Sequence, residues 1–279
     1  MKKTRLEGGA AMEHIAVLLT LPETAPAVLK AAEKTKEAFQ IASLDLLHIR
    51  PDVDPDLMPT EEVYTEDRKA AFEAEREGIF AALEKIAAPW REKGFPALHQ
   101  ERGRREDVAK RVLHGADLVV LGSPHADPDA KILLETVLFD LKKAALLASR
   151  NIPAQIGRHI AIAWAPCEAS QRATEAARPL IQNAREVTIL NGGHGEDFPV
   201  SPSLELNVTV QSTNAKIHMR DFELNGRHIG EALLAEAHAA GADMLIMGAF
   251  THSRLREAIF GGATAEILKA FDLPVLMHH

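Results

Sequence analysis

The sequence has one cysteine, few aromatic residues and no apolar stretch long enough to cross a membrane. Because Cys167 has no second thiol to pair with, a secreted scaffold held by internal disulfides is excluded. Aromatic residues make up 5% of the 279 positions, and 40 acidic residues outnumber 32 basic ones. The formal charge of −8, without a basic patch, argues against nucleic acid and anionic membrane surfaces as partners. These features predict a soluble cytoplasmic protein.

The N-terminus resembles a secretory signal but is better explained as a strand. Basic residues at 2, 3 and 5 precede a short apolar run at 15–21. Glu13 and His14 interrupt the approach to that run, and a similar pattern recurs far along the chain. We therefore predict a buried strand here, and either Met1 or Met12 as the first residue.

The chain contains two copies of one pattern. Three segments recur in the same order with different spacing: residues 13–19 with 158–164, Gly115–Gly122 with Gly241–Gly248, and Asn151–Pro153 with Asp272–Pro274. A duplicated domain with loops of different lengths is the simplest explanation. We place the domains at 12–157 and 158–279, and the lack of a Gly/Ser linker near Gly157 predicts that they pack closely.

Strand and helix patterns alternate within each copy. In the second copy, apolar runs predict strands at 159–164, 187–190, 216–222, 244–247 and 274–277, and period-3.6 stripes predict helices at 173–184, 229–240 and 263–271. Pro179 should kink the first of these helices, and residues 201–213 are ambiguous, with a short helix preferred. The first copy has a longer helix with an apolar face marked by Phe72, Ile79, Leu83, Ile86 and Trp90. This alternation predicts an α/β fold of two five-stranded parallel, Rossmann-like sheets covered on both faces.

A ligand site is expected at the carboxyl ends of strands 1 and 4 of each copy. In the commonest strand order these two strands are neighbours, and open parallel sheets bind ligands at that switch point. In the second copy, strand 4 is followed by Gly248, then Gly261 and Gly262, and then by a helix. Glycines let backbone N–H groups approach an anion, and the helix N-terminus adds its dipole. The loop therefore predicts a phosphate site.

The chain resembles a tandem universal stress protein over essentially its whole length. The residues that carry the resemblance are GADMLIMGAFTHSRLREAIFGGATAEIL and DLPVLM, near the C-terminus. The nucleotide-binding branch of that family has Gly-x-x-Gly, nine residues, then Gly-Ser or Gly-Thr. Here the spacing is kept, but Thr251 replaces the second glycine, Gly262 replaces the hydroxyl residue, and Ala165 stands where the family places an acid after strand 1.

The resemblance implies an adenine nucleotide (ATP, ADP or AMP) in the second copy and a pseudo-dimer of the two domains. The implied ligand-binding residues are Gly248, Thr251, Arg254, Gly261, Gly262, Ala263, Thr264 and Ala165. Charge favours the second copy, because residues 122–140 hold four acids and one base whereas 248–262 hold two bases and one acid. Since like charge repels a polyphosphate, we expect the first copy to be structural.

Two other interpretations stay open. A nucleotide-free module that dimerises or contacts a protein partner is favoured by Thr251 and Ala165. A nucleotide-transferring enzyme would need catalytic residues, and no nucleophile elbow or pair of carboxylates is evident. Thirteen histidines show no zinc-site spacing, so we expect no metal. We therefore predict a binding protein of the stress response, not an enzyme, in which a homodimer could add to the internal pairing.

Overall fold

All ten strands belong to one sheet in the computed structural model. The structure describes residues 12–52, 66–125, 127–192, 214–249 and 262–279. The strands are β1 (His14–Leu18), β2 (Ser43–Arg50), β3 (His99–Arg102), β4 (Leu118–Leu121), β5 (Ala144–Leu147), β6 (His159–Ala163), β7 (Glu186–Gly192), β8 (Lys216–Phe222), β9 (Met244–Gly248) and β10 (Val275–His278).

Helices alternate with these strands and cover both faces of the sheet. They are α1 (Ala25–Phe39), α2 (Glu66–Ala87), α3 (Arg105–Val112), α4 (Pro128–Glu135), α5 (Glu168–Ala176), α6 (Arg178–Asn183), α7 (Ile229–Ala239) and α8 (Ala263–Ala270). A 3₁₀ turn, Ala88–Lys93, extends α2, and a π-helical turn, Thr136–Asp140, follows α4. No helix among the described residues is long and apolar enough to cross a membrane.

Each half of the sheet has the predicted strand order. The order is β3-β2-β1-β4-β5-β10-β9-β6-β7-β8, so that β1 lies between β2 and β4, and β6 lies between β7 and β9. Every neighbouring pair is parallel except β5 with β10. Two five-stranded α/β units are thereby confirmed, and each has its switch point beside its first strand.

The two units join edge to edge, as one continuous sheet. Strands β5 and β10 are antiparallel, with Leu146 opposite Leu276 and Val275 opposite Leu147. All four side chains are fully buried. We call this pairing the seam. It converts two edge strands into central ones, which removes their unpaired backbone groups from solvent.

The core consists of two layers, one on each side of the sheet. Side chains alternate across each strand, so Ile15 and Val17 face one layer while Ala16 and Leu18 face the other. Each layer contains residues of both halves, for example Leu146 with Ile162 in one and Leu147 with Leu245 in the other. The hydrophobic core is therefore continuous across the seam.

Proline ends a helix where the sequence predicted a kink. The stripe at 173–184 forms two helices, α5 and α6, which meet at Ala177 just before Pro179. A proline ring removes one backbone donor, and the first turn of a new helix tolerates that loss. In the first half, the apolar face of α2 is confirmed, since Phe72 and Leu83 are buried. The ambiguous segment 201–213 lies outside the described residues.

The aspartate of the repeated Gly-Ala-Asp pattern accepts hydrogen bonds from backbone N–H groups at the start of the first strand of its half, β1 or β6. Asp117 Oδ2 accepts hydrogen bonds from the backbone N–H groups of Glu13 and His14, at 2.8 and 2.9 Å. Asp243 accepts three, from Gly157, Arg158 and His159, at 2.7 to 3.1 Å. Burial raises the pKa of the Asp243 carboxyl, although these donors act in the opposite direction. The pattern is structural and lies at the edge of the sheet opposite the expected ligand.

Candidate functional site

The carboxyl ends of β6 and β9 bring several of the predicted residues to one edge of the sheet. Ala163 pairs with Met247, so Ala165, two residues further along, lies near Gly248 and Ala249. Helix α8 begins at Ala263 and comes before β10 in the chain. The predicted residues Thr251, Arg254 and Gly261 lie outside the described residues.

Gly248 is required for packing between β9 and α5. A Cβ atom at this position would lie 2.6 Å from the Ser170 nitrogen and 2.8 Å from the Ala169 carbonyl carbon. Both are backbone atoms that cannot rotate away, so only glycine fits. Gly122, at the equivalent position after β4, approaches Thr24 next to the start of α1, where a Cβ would lie 3.1 Å from the Thr24 Cβ. Glycine at the end of strand 4 therefore lets the helix that follows strand 1 pack closely in both halves.

Gly262 leaves the N-terminus of α8 free of a side-chain cap. It is the N-cap residue, with φ of +81° and ψ of −167°, a conformation that only glycine adopts readily. No described atom lies within 4 Å of where its Cβ would be. Ala263 is half-buried, and Thr264 is 7% exposed. Gly262 therefore puts no side chain of its own over the backbone N–H groups and the positive end of the helix dipole.

The equivalent helix of the first half carries its own anion. Asp127 is the N-cap of α4, and its Oδ1 accepts hydrogen bonds from the N–H groups of Asp129 and Ala130, at 3.0 and 3.1 Å. The side chain is 3% exposed. Burial raises the pKa of this carboxyl, and the Thr20 hydroxyl together with the two backbone donors opposes that effect. A carboxylate thus stands at the helix N-cap of the first half, whereas no described atom of the second half lies within 4 Å of the Cβ position of Gly262.

Ala165 offers only a methyl group at the position where the resemblance implies an acid. It lies two residues beyond the end of β6, and its carbonyl accepts a hydrogen bond of 2.8 Å from the Cys167 N–H. Cys167 is the N-cap of α5, and its thiol donates to Ser170 Oγ at 3.3 Å. The methyl group of Ala165 can contact a ligand but cannot bind a hydroxyl group.

The sequence analysis missed a carboxylate that caps a neighbouring helix. Glu266 of α8 accepts a hydrogen bond of 2.7 Å from the N–H of Gly230 in the first turn of α7, and its other oxygen lies 3.3 Å from His228. Glycine at 230 permits this approach, because a Cβ there would lie 2.5 Å from the Glu266 Cβ. The only sequence signal was a glycine early in a helical pattern. The N-terminus of α7 therefore receives a hydrogen bond from Glu266, whereas the N-cap residue of α8, Gly262, has no side chain to cap its own helix.

The first half also buries charged side chains that the sequence analysis did not single out. Arg50, at the end of β2, is 2% exposed and forms ion pairs with Glu73 and Glu77 of α2. Two residues earlier, His48 is 3% exposed, and its Nδ1 lies 2.7 Å from the Leu19 carbonyl oxygen. Burial lowers the pKa of His48, which favours the neutral ring. These contacts fasten α2 to the sheet.

No cluster of His, Cys, Asp and Glu that could hold a metal ion occurs among the described residues. The expected absence of a metal remains a prediction.

Comparison with known proteins agrees with this architecture. Residues 158–279 match the model of the universal stress protein family. A universal stress protein of Synechocystis is 38% identical over 56 residues, a stretch that spans only 20% of this chain and 20% of that curated relative.

Two solved structures share the fold over nearly the whole chain. A universal stress protein from Archaeoglobus fulgidus has a TM-score of 0.70 at 14% identity, with 96% of both chains covered. A functionally unknown protein from Pseudomonas aeruginosa has a TM-score of 0.52 at 14% identity and covers 96% of this chain and 92% of its own. Similarity at this identity shows the fold alone. Through residues 158–279 the chain is similar to the universal stress protein family.

Proposed function

We propose that the chain is a stress-response protein that binds an adenine nucleotide in its second half, with the phosphates at the N-terminus of α8. The similarity of residues 158–279 to the universal stress protein family supports the stress-response role. The nucleotide proposal rests chiefly on one observation: Gly262 leaves this helix N-terminus without a side-chain cap, while Asp127 fills the same position in the first half.

The charges of the two halves support the same choice. A phosphate at Gly262 and Ala263 would receive backbone hydrogen bonds and the helix dipole, with the Thr264 hydroxyl one residue further. At α4 it would meet the Asp127 carboxylate, which already holds two of the available donors. The proposed role is binding, because the described residues at the site offer no general base.

Gly262→Asp tests the proposal, with Gly262→Asn as the matched control. Both variants bear the same backbone strain at a φ of +81°, and both side chains can cap the helix. Only aspartate adds a charge that repels phosphate. In calorimetric titrations with ATP, ADP and AMP, we expect Gly262→Asp to weaken binding at least about tenfold more than Gly262→Asn does. Equal affinities in the two variants would place the phosphates elsewhere.

The absence of an acid at Ala165 favours a second candidate function, a nucleotide-free interaction module. In that case, protein purified from cells would carry no bound nucleotide. Titration of the unmodified protein with ATP, ADP or AMP would give no heat of binding. Mass spectrometry of the small molecules released on denaturation, followed by the same titrations, decides between the two.

A further inference from the structure

The sheet has two outer edges, and they differ in length and in chemistry. Strand β3 forms one edge with four residues, and β8 forms the other with seven. All four residues of β3 are polar, and Glu101 contacts both His99 and Arg111. A short, charged edge strand is a common protection against pairing with another chain. The longer β8 is therefore the edge at which pairing with a further strand is expected.

The outer side of β8 presents backbone donors and acceptors. The N–H of Lys216 donates to the Arg185 carbonyl at 2.8 Å, on the side of β7. Because the backbone groups of successive residues point alternately to the two sides of a strand, those of Ile217, Met219 and Asp221 point away from β7. No described strand lies on that outer side. Each of these three residues therefore offers one donor and one acceptor to another strand.

Two apolar side chains of this edge strand are exposed. Ile217 and Met219 are 41% and 48% exposed, and they are the large apolar side chains that stand exposed among the described residues. Each lies in register with a buried residue of β7, Val187 or Ile189, so both extend one core layer toward the edge. Apolar side chains beside an open edge indicate a surface that association with another strand would cover.

The charges of β8 favour an antiparallel second copy as its partner. The first residue of the strand, Lys216, is an exposed cation without an ion pair among the described residues. The other end carries two exposed acids, Asp221 and Glu223, and the cation between the ends, Arg220, is already paired with Glu236 at 2.6 Å. A two-fold axis at the middle of β8 places the cationic end of each copy beside the acidic end of the other. A parallel partner in the same register would bring like charges together.

We propose that β8 pairs with β8 of a second copy of this chain, antiparallel and about a two-fold axis at Met219, so that two ten-stranded sheets become one. Met219 faces the partner's Met219, and Ile217 lies diagonally across from it. Lys216 lies beside the partner's Asp221 and Glu223. The seam already joins the two halves of one chain by an antiparallel pair of strands. The inference does not depend on nucleotide binding in the second half.

Sedimentation velocity of the full chain over a series of concentrations tests the proposal. We expect a reversible equilibrium between monomer and dimer. Met219→Lys should weaken the dimer at least about tenfold, because it brings two ammonium groups together at the axis. His99→Lys is the matched control, since His99 is an exposed residue of the other edge strand, β3. It should leave the affinity of the dimer unchanged.

A charge exchange identifies the ends of β8 that meet. Lys216→Glu should weaken the dimer, because it adds a third acid to each of these ends, and Glu223→Lys should weaken it by bringing two cations together. The double variant K216E/E223K should dimerise more tightly than either single variant, since opposite charges again lie side by side.

Four outcomes would overturn the proposal. The parent could stay monomeric throughout the series, Met219→Lys could dimerise as tightly as the parent, His99→Lys could weaken the dimer equally, or K216E/E223K could be no tighter than the single variants. Circular dichroism of every variant, and its thermal midpoint, establish that each one is folded.

Discussion

Asp127 and Gly262 are the N-cap residues of equivalent helices, and they make these two helix N-termini chemically different. Asp127 supplies its helix with a carboxyl group that is buried and bonded to two backbone N–H groups. At Gly262 no described atom lies within 4 Å of the Cβ position. A charge count along the sequence predicted this asymmetry, but it could not show that one residue accounts for so much of it, because capping depends on the exact position where the helix begins.

Asp127 should make the stability of the protein depend on pH. Its folded-state pKa is raised above 3.8, so the folded chain holds the proton more tightly than the unfolded chain. The corresponding stabilisation is present below the unfolded pKa and is lost as pH rises through the folded pKa. Asp127→Asn keeps a capping oxygen and cannot ionise. We expect the free energy of unfolding of this variant, relative to the parent, to increase between about pH 3.5 and pH 7.

Urea unfolding at several pH values measures this difference. Asp107→Asn, at an exposed position of α3, is the control for replacing a carboxyl with an amide. A difference between Asp127→Asn and the parent that stayed constant across the range would contradict the prediction.

At the scale of elements, strand-to-helix packing explains why the two halves keep glycine after strand 4. The end of β9 approaches the backbone at the start of α5 so closely that there is no space for a side chain. The sequence analysis assigned Gly248 to phosphate binding, since a glycine before a loop suggests close approach to a ligand. In the structure Gly248 packs against the backbone of α5, and a role of Gly248 in ligand binding remains a prediction.

Gly248→Ala should therefore destabilise the protein even without a ligand. We expect a loss of about 1–3 kcal/mol, as for other substitutions that overpack a core. Gly78→Ala is the matched control: Gly78 lies exposed in the middle of α2 with no atom within 4 Å of its Cβ position. That variant should be more stable by up to about 1 kcal/mol, because alanine favours a helix. Urea unfolding curves for the two variants should shift in opposite directions, and a shift of Gly248→Ala toward higher urea would refute the packing argument.

Most elements could be predicted from the sequence, because buried parallel strands and amphipathic helices leave clear periodic patterns. The strand order followed from a general rule for such sheets. The pairing of β5 with β10 could not be predicted, since an apolar strand such as Ala144–Leu147 shows that both faces are buried but does not identify its neighbour. The burial of Arg50 depends on partners in α2, 23 and 27 residues away, and periodicity carries no such information.

For the candidate site, sequence patterns located the edge of the sheet and three glycines, of which Gly248 and Gly262 are described. Local composition could not show the role of Glu266, because it depends on a contact between elements that are distant in sequence. Glu266 meets Gly230 across 36 residues.

At the scale of the whole molecule, the seam should make the two halves unfold together. Both core layers contain residues of both halves, and the four side chains named at the seam are fully buried. Unfolding one half alone would expose the β5 or β10 edge and the apolar surface beside it. Differential scanning calorimetry should show one transition, with equal calorimetric and van't Hoff enthalpies. Two resolved transitions would show that the halves are energetically independent.

The seam also sets how this protein responds to dilution. Two separate chains joined through such a strand pair would dissociate below a characteristic concentration, whereas here both edge strands belong to one polypeptide. The pairing is intramolecular, so its effective local concentration is set by the connecting chain and not by the amount of protein in solution. The strength of this interface therefore does not fall when less protein is present.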